Sequence, residues 1–263
     1  MPGGLAVTYL GWSGFRIERA PHRVFVDPPE GTPFPADGHL TILLSHGHPE
    51  HVGGTRALVG QAERRVRITI AASPAICRHL ARVSGRGVSF LPTRPGARLR
   101  LDEGLEVRVF EWTHLPLLPG GLKANLAHIR HLLSRPDLAW RIARAGLAGP
   151  PAGPMLGFGI TLGDRSLLAW GEGLHRFAAP WADPMPPAIV LAAVEPGDEA
   201  AIPGLLRACG ADAALLFEPH ARWRDAFGME RADLEGLRAR LERDGTRAVV
   251  VQPGQTESFP RPA

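Results

Sequence analysis

The sequence predicts an α/β domain built of two β-sheets with helices on their outer faces, and three observations predict it. Short apolar runs of strand length recur along the whole chain, and helix-patterned stretches fall between several of them. Runs such as Ile42, Leu43, Leu44 and Val249, Val250, Val251 are apolar at every position, as strands covered on both faces are. At 263 residues with 44% hydrophobic content the chain can bury a sizeable core, and α/β units of this length are often single domains. One domain over residues 1–263 is expected, with the Pro/Gly-rich stretches 148–154 and 180–187 as loops inside it.

In chain order, strands are expected over residues 5–10, 15–18, 24–27, 40–44, 67–71, 105–112, 157–162, 166–171, 213–217 and 247–252. Most of these runs are rich in branched or aromatic side chains. Helical spacing is expected over 52–61, 74–83, 122–145, 198–209 and 230–244. Strands in succession open the chain, strand and helix then alternate, and the second half repeats that grammar. Residues 115–154 form a helical insertion. Its stretch 122–145 sets Leu122, Leu126, Ile129, Leu133 and Trp140 on an apolar side, beside the basic Lys123, Arg130, Arg135, Arg141 and Arg144. It reads equally as a lid or gripping arm for an anionic or amphipathic molecule and as an ordinary packed helix or dimer contact.

Composition narrows the function classes. The formal charge is +4 and 30 residues are basic, of which only Lys123 is lysine; this balance favours a small anionic substrate. Nucleic-acid binding is not expected, because the arginines are scattered and there is a single tyrosine to interleave with them. The N-terminus has no basic stretch before an apolar one, so neither a signal peptide nor a membrane span is expected and the location reads as cytoplasmic. Cys77 and Cys209 read as buried, reduced thiols. A homo-oligomer is compatible with everything above.

The densest chemistry is Ser45-His46-Gly47-His48-Pro49-Glu50-His51-Val52-Gly53-Gly54, directly after the apolar run ending at Leu44. Imidazole nitrogen and carboxylate oxygen are ligands shared by zinc, iron and manganese. On extended backbone His46 and His48 point the same way, and Pro49 keeps His48 extended while itself suiting the first turn of a helix. Glu50 and His51 then sit at a helix start and aim elsewhere, so one turn offers two ligand pairs and suggests two metals. A histidine-rich surface loop is the bland alternative, and the strand-to-helix position argues against it. Further ligands are expected at other strand ends, where His114, Glu172 and His220 stand. Taken singly, a loop histidine is usually solvated; taken as a set at successive strand ends, these three point to one site.

These residues resemble the signature of the metallo-β-lactamase superfamily, His-x-His-x-Asp-His followed by a lone His, a lone Asp and a last His. The opening Tyr9-Leu10-Gly11-Trp12-Ser13-Gly14-Phe15 and the strand end Val26-Asp27-Pro28 are similar to its branch of small hydrolases related to the ascorbate-phosphate lactonases. The resemblance runs from about residue 5 to 253. It implies an αββα sandwich with two divalent metal ions, zinc first and manganese or iron as alternatives. One ion would be held by His46, His48 and His114, the other by Glu50, His51 and His220, with Glu172 bridging. A hydroxide between them would attack a carbonyl or phosphorus centre. Glu50 is in addition a candidate catalytic residue, as is His175, close to the leaving group or behind a ligand. Asp27 would orient a ligand or cap the turn beneath the site. His128 and His131, at i and i+3, share a helix face that could reach the substrate, although exposed helix histidines usually have no role; His22, His39 and His79 carry no supporting context.

Two departures stand out, since the family has aspartate where this chain has Glu50 and Glu172. Each glutamate reaches roughly 1.5 Å further, against metal-ligand tolerances of about 0.2 Å. A resized site follows, or loss of one metal position. The expected function is a metal-dependent hydrolase of a small ester, lactone, thioester or phosphodiester. The competing readings are a di-iron redox or sensor protein of the same fold and a metal-binding member without turnover.

Overall fold

The computed structural model describes residues 4–61, 66–112, 126, 129–130, 132–148, 154–169 and 189–260. Two seven-stranded sheets form its centre. The first comprises β1 (Leu5–Gly11), β2 (Gly14–Arg19), β3 (His22–Val26), β4 (Gly38–Leu43), β5 (Val66–Ala72), β6 (Val88–Pro92) and the late β14 (Thr256–Phe259), in the order β14-β1-β2-β3-β4-β5-β6. The second comprises β7 (Arg98–Asp102), β8 (Leu105–Glu111), β9 (Leu156–Leu162), β10 (Arg165–Ala169), β11 (Ile189–Ala193), β12 (Ala213–Phe217) and β13 (Arg247–Val250), in the order β13-β12-β11-β10-β9-β8-β7.

Each sheet is antiparallel on one side and parallel on the other. In the first, β14, β1, β2 and β3 pair antiparallel, then β3 to β6 run parallel. In the second, β7 to β10 pair antiparallel, then β10 to β13 run parallel. Parallel neighbours share an end, so residues that follow β3 and β4, or β11 and β12, emerge together on one edge.

The facing sides of the sheets enclose the main core, with Val7, Phe15, Ile17, Val24 and Val26 meeting Val107, Phe158, Ile160, Leu191, Leu215 and Phe217. Helices cover the outer faces. On the first sheet α1 (Pro49–Gln61) brings Val52 and Val59, and α2 (Pro74–Ala81) brings Ile76, Cys77 and Leu80, against Phe25, Ile42, Leu44, Ile68 and Ile70. On the second, α4 (Ile202–Ala208) brings Ile202 and Leu206, and α6 (Leu234–Arg243) brings Leu237 and Leu241, against Leu168, Val190, Ala214 and Leu216. The described residues also hold α3 (Pro136–Ala148) and α5 (Ala221–Phe227). Four layers in the order helix, sheet, sheet, helix result, as expected for αββα.

Local chemistry sets the helix ends. Ser73 caps α2 ahead of Pro74, its Oγ accepting from Ile76 N at 3.5 Å; Asp233 caps α6 by accepting from Gly236 N at 2.9 Å. Several elements differ from the sequence expectation. The helix expected over 122–145 breaks at Arg135, ahead of Pro136, and α3 starts there, because proline cannot donate back into the preceding turn. Strands β6, β7, β11 and β14 and helix α5 were not expected. Strand β13 is an edge strand with Val249 and Val250 half-buried, so the run 249–251 is not covered on both faces throughout. Cys77 is buried as expected, whereas Cys209, expected buried, is half-exposed at the end of α4.

Candidate metal centre

The first half of the site grows from β3 and β4. Their parallel register pairs Val26 with Leu43, so Asp27 emerges beside Leu44 and Ser45. Asp27 takes a φ of 43°, in the left-handed region that aspartate tolerates better than most residues, and this turns its carboxylate under the neighbouring strand end. There Oδ1 accepts from Ser45 N at 2.7 Å and Oδ2 accepts from Ser45 Oγ at 2.5 Å. The same Oδ2 lies 2.9 Å from His51 Nδ1, and Ser45 Oγ lies 2.9 Å from His46 Nδ1. Because the Ser45 hydroxyl proton goes to Asp27, Ser45 Oγ is the acceptor for His46, and both rings carry their proton on Nδ1. Their lone pairs are therefore on Nε2, the arrangement a metal-ligating histidine needs.

His46, Ser45, Asp27 and His51 are all essentially buried, while His48 and Glu50 are half-exposed. The ring of His46 lies 4.5 Å from that of His48 and 4.0 Å from that of His51, centroid to centroid. Glu50 stands in the first turn of α1 with Oε1 3.8 Å from His48 Nδ1. The start of α1 is anchored by Gly54 N, which donates to Pro28 O at 3.1 Å. The second sheet reaches this corner too: Leu156 N donates to Ser45 O at 2.9 Å, and the Trp112 ring stands edge-on to His46 at 5.7 Å.

The other half grows from β11 and β12, whose register pairs Ala193 with Phe217. Beyond those ends stand Glu195 on one strand and Glu218, Pro219 and His220 on the next. His220 Nδ1 lies 2.9 Å from Glu195 Oε1, and Arg224, one turn into α5, grips Glu195 Oε2. Arg224 Nε also lies 3.1 Å from Glu218 Oε1, and Arg231 Nε donates to Glu218 Oε2 at 2.5 Å. Burial alone would raise the Glu195 carboxyl, but the hydrogen bond and charge of His220, with Arg224 behind them, hold it below the usual carboxylate range.

Both halves lie at the same end of the sandwich. The β1–β2 turn packs at Gly14 against Asp27 O, so tightly that an added Cβ would sit 2.8 Å from it. The same turn packs Trp12, at a φ of 55°, against Trp223, the rings tilted by 50° with centroids 5.5 Å apart, three residues past His220. Tyr9 fixes the turn by donating its hydroxyl to Trp12 O at 2.8 Å. Burial, reinforced by the Glu218 carboxylate, pushes that hydroxyl far above its ordinary pKa, so it remains a donor.

The structure thus brings together His46, His48, His51 and Glu50, and sets His220 at the same end. Among the described residues no group of three or more His, Cys, Asp or Glu side chains closes far enough to hold an ion by itself. His114, Glu172 and His175 lie outside the described residues. Sequence reasoning passed over Ser45, Glu195, Glu218 and Arg224. A usable signal existed for Glu195, since the apolar run 189–194 ends on it much as Val24, Phe25 and Val26 end on Asp27.

No family model matches the chain. Among curated proteins it is 34% identical over 120 residues to a UPF0173 metal-dependent hydrolase of Azorhizobium caulinodans, covering 42% of this chain and 49% of that one. The chain thus spans about half the length of that relative. Among solved structures, a metallo hydrolase of Ignicoccus hospitalis, Igni18, superposes with a TM-score of 0.65 at 15% identity, over 98% of this chain and 100% of that one. The metallo-β-lactamase fold protein YhfI of Bacillus subtilis gives 0.61 at 12% identity, over 96% and 99%. CmlA, a diiron β-hydroxylase of Streptomyces venezuelae, gives 0.59 at 14% identity, over 98% of this chain and 54% of that one.

Proposed function

We propose that this chain, an αββα sandwich of the metallo-β-lactamase fold, is a metal-dependent hydrolase of a small, anionic ester, lactone, thioester or phosphodiester. The observation that carries the reading is the pair of histidines locked as Nδ1–H tautomers by Asp27 and Ser45, at a corner where His48 and Glu50 also stand. Ligating histidines generally spend their second nitrogen in this way. The donor set of imidazoles and carboxylates fits two divalent ions, zinc first. His46, His48, His51, Glu50 and His220 would hold them, with His114 and Glu172 completing the set. Ions held there supply Lewis acidity and bring the pKa of a water towards neutrality.

The chain's own groups do the rest. Asp27 and Ser45 keep His46 and His51 in one orientation and one tautomer, so the rings need not reorganise when charge develops beside them. Trp12 and Trp223 supply an apolar wall at the same end of the sandwich, and the overall +4 charge favours an anionic substrate. Glu50, half-exposed beside His48, and His175 are the candidates for moving a proton to or from the leaving group. Kinship to the ascorbate-phosphate lactonase branch remains part of the proposal and rests on the opening motif around Trp12.

The test combines metal analysis with turnover. Purified protein is expected to carry two zinc or manganese ions per chain, and to hydrolyse at least one of a panel of chromogenic esters, lactones and phosphodiesters. Chelator or His48→Ala should abolish that activity. Protein free of metal after metal-replete expression, or equal turnover by His48→Ala, would overturn the reading. The likeness to CmlA and the glutamates at positions 50 and 172 favour one alternative, a di-iron redox protein. Two irons with a visible absorption band and no hydrolysis would establish it instead.

A further inference from the structure

We infer that Glu195 is a positioning residue of the metal centre, the counterpart in the second sheet of Asp27 in the first, holding His220 in the ligating orientation and tautomer. The inference rests on the metal-hydrolase reading and adds to it a residue outside the recognised ligand pattern.

The two halves of the sandwich use one device. In each, two adjacent parallel strands end side by side, the first in a carboxylate and the second in a histidine. In the first sheet Asp27 lies 2.9 Å from His51 Nδ1 and reaches His46 through Ser45; in the second Glu195 lies 2.9 Å from His220 Nδ1. In both sheets the carboxylate meets the imidazole at Nδ1, which leaves Nε2 as the metal-facing nitrogen.

Glu195 is itself held. Its side chain is 5% exposed, and a buried carboxylate keeps its charge only with partners. Its second oxygen is gripped by Arg224, which spans to Glu218, itself 1% exposed and bonded at its other oxygen to Arg231. Arg231 continues to Asp225 at 2.7 Å. This chain of alternating charges crosses from the end of β11 to α5 and fixes the carboxylate rather than letting it follow the ring. The acceptor is thus rigid and the histidine conforms to it, as a site with narrow ligand tolerance requires. An ordinary surface ion pair would need neither the burial nor the second arginine.

The experiment uses the full chain, stripped of metal and titrated with Zn²⁺ against a chromophoric chelator, and with Co²⁺ to read the ligand-field spectrum. Glu195→Gln, which keeps the shape, and Glu195→Ala should each weaken one binding step by about 10- to 100-fold and shift the Co²⁺ bands. Glu195→Asp, conservative in charge, should recover part of both. His220→Ala should abolish the same step. Independently of any variant, the nitrogen-15 spectrum of the folded, metal-free wild type above pH 8 should show His220 protonated on Nδ1. Unchanged zinc affinity and Co²⁺ bands in both Glu195→Gln and Glu195→Ala, with only the melting temperature lowered, would mean a purely structural ion pair and would overturn the inference alone. So would a His220 ring protonated on Nε2. A wild-type chain that takes up no metal would overturn the hydrolase reading and this inference together.

Discussion

Asp27 concentrates more of the site's order than any single ligand. Three groups, Ser45 N, Ser45 Oγ and His51 Nδ1, converge on its carboxylate in a buried pocket, and its left-handed backbone turns it towards them. Asparagine tolerates the same φ but presents an amide NH2 where one oxygen accepted, leaving at least one donor opposed by another. Asp27→Asn is therefore expected to lower stability by about 1–3 kcal/mol and metal affinity by about 10- to 100-fold, read by thermal melting and by zinc competition. An Asp27→Asn protein matching the wild type in both would show that the carboxylate does not set the histidines. Cys77 gives a second residue-scale expectation. Burial of this α2 residue against the first sheet pushes its thiol up from 9.0 to about 11, so the folded state resists its ionisation. Its contribution is complete below pH 9 and is lost as the pH climbs towards 11, on the order of 2–3 kcal/mol. Urea denaturation at pH 8 and 10.5, with Cys77→Ala as reference, checks it: the variant should show the smaller fall.

At the scale of elements, the decisive contacts are between a helix start and a loop. Helix α1 carries Glu50 and His51 in its first turn, and it approaches the 28–29 loop so closely that only glycine fits at position 54. A Cβ there would sit 2.3 Å from Pro29 O and 2.5 Å from Pro28 O, both backbone atoms that cannot swing aside. Gly54→Ala should push α1 away, costing about 1–3 kcal/mol by urea denaturation and loosening His51 from Asp27. Wild-type stability with intact metal binding would contradict that packing. The helices and strands most legible in the sequence were those with strong apolar spacing and clear ends, such as β4, β9, β12 and α2. Strands β6 and β7 were hidden because they are partly exposed, with a half-buried or alternating pattern and no continuous apolar run. Strand β11 was hidden differently, by the proline-rich stretch before it, although all five of its residues are buried.

For the whole molecule, two sheets share one core, so damage to that core should reach the site from a distance. Phe158 is fully buried between the sheets, in the strand whose first residue, Leu156, bonds to Ser45 O. Phe158→Ala is expected to cost about 3–5 kcal/mol, measured by chemical denaturation. Metal should act in the opposite sense: at a free concentration about 100 times the dissociation constant it adds about 2.7 kcal/mol, raising the melting temperature by roughly 5–10 °C for a chain of this size. No metal-dependent shift would count against a site that bridges the sheets. Among the described residues no helix is long and apolar enough to cross a membrane. Among the described residues of the stretch 122–145, Leu126, Ile129, Leu133 and Trp140 are exposed while Leu138 is buried.

The sequence by itself determined the layered α/β class and the cluster from His46 to His51, because periodicity and ligand chemistry are local properties written in neighbouring residues. It marked Asp27 and His220 as well, since both stand directly after strand-length apolar runs. Only the tertiary structure decided which carboxylate serves which histidine. Asp27 and His51 are 24 residues apart, Glu195 and His220 are 25 apart, and each pair meets because two parallel strands end in register. Pairing register is fixed by burial across the whole sheet, and no local pattern of residues carries it.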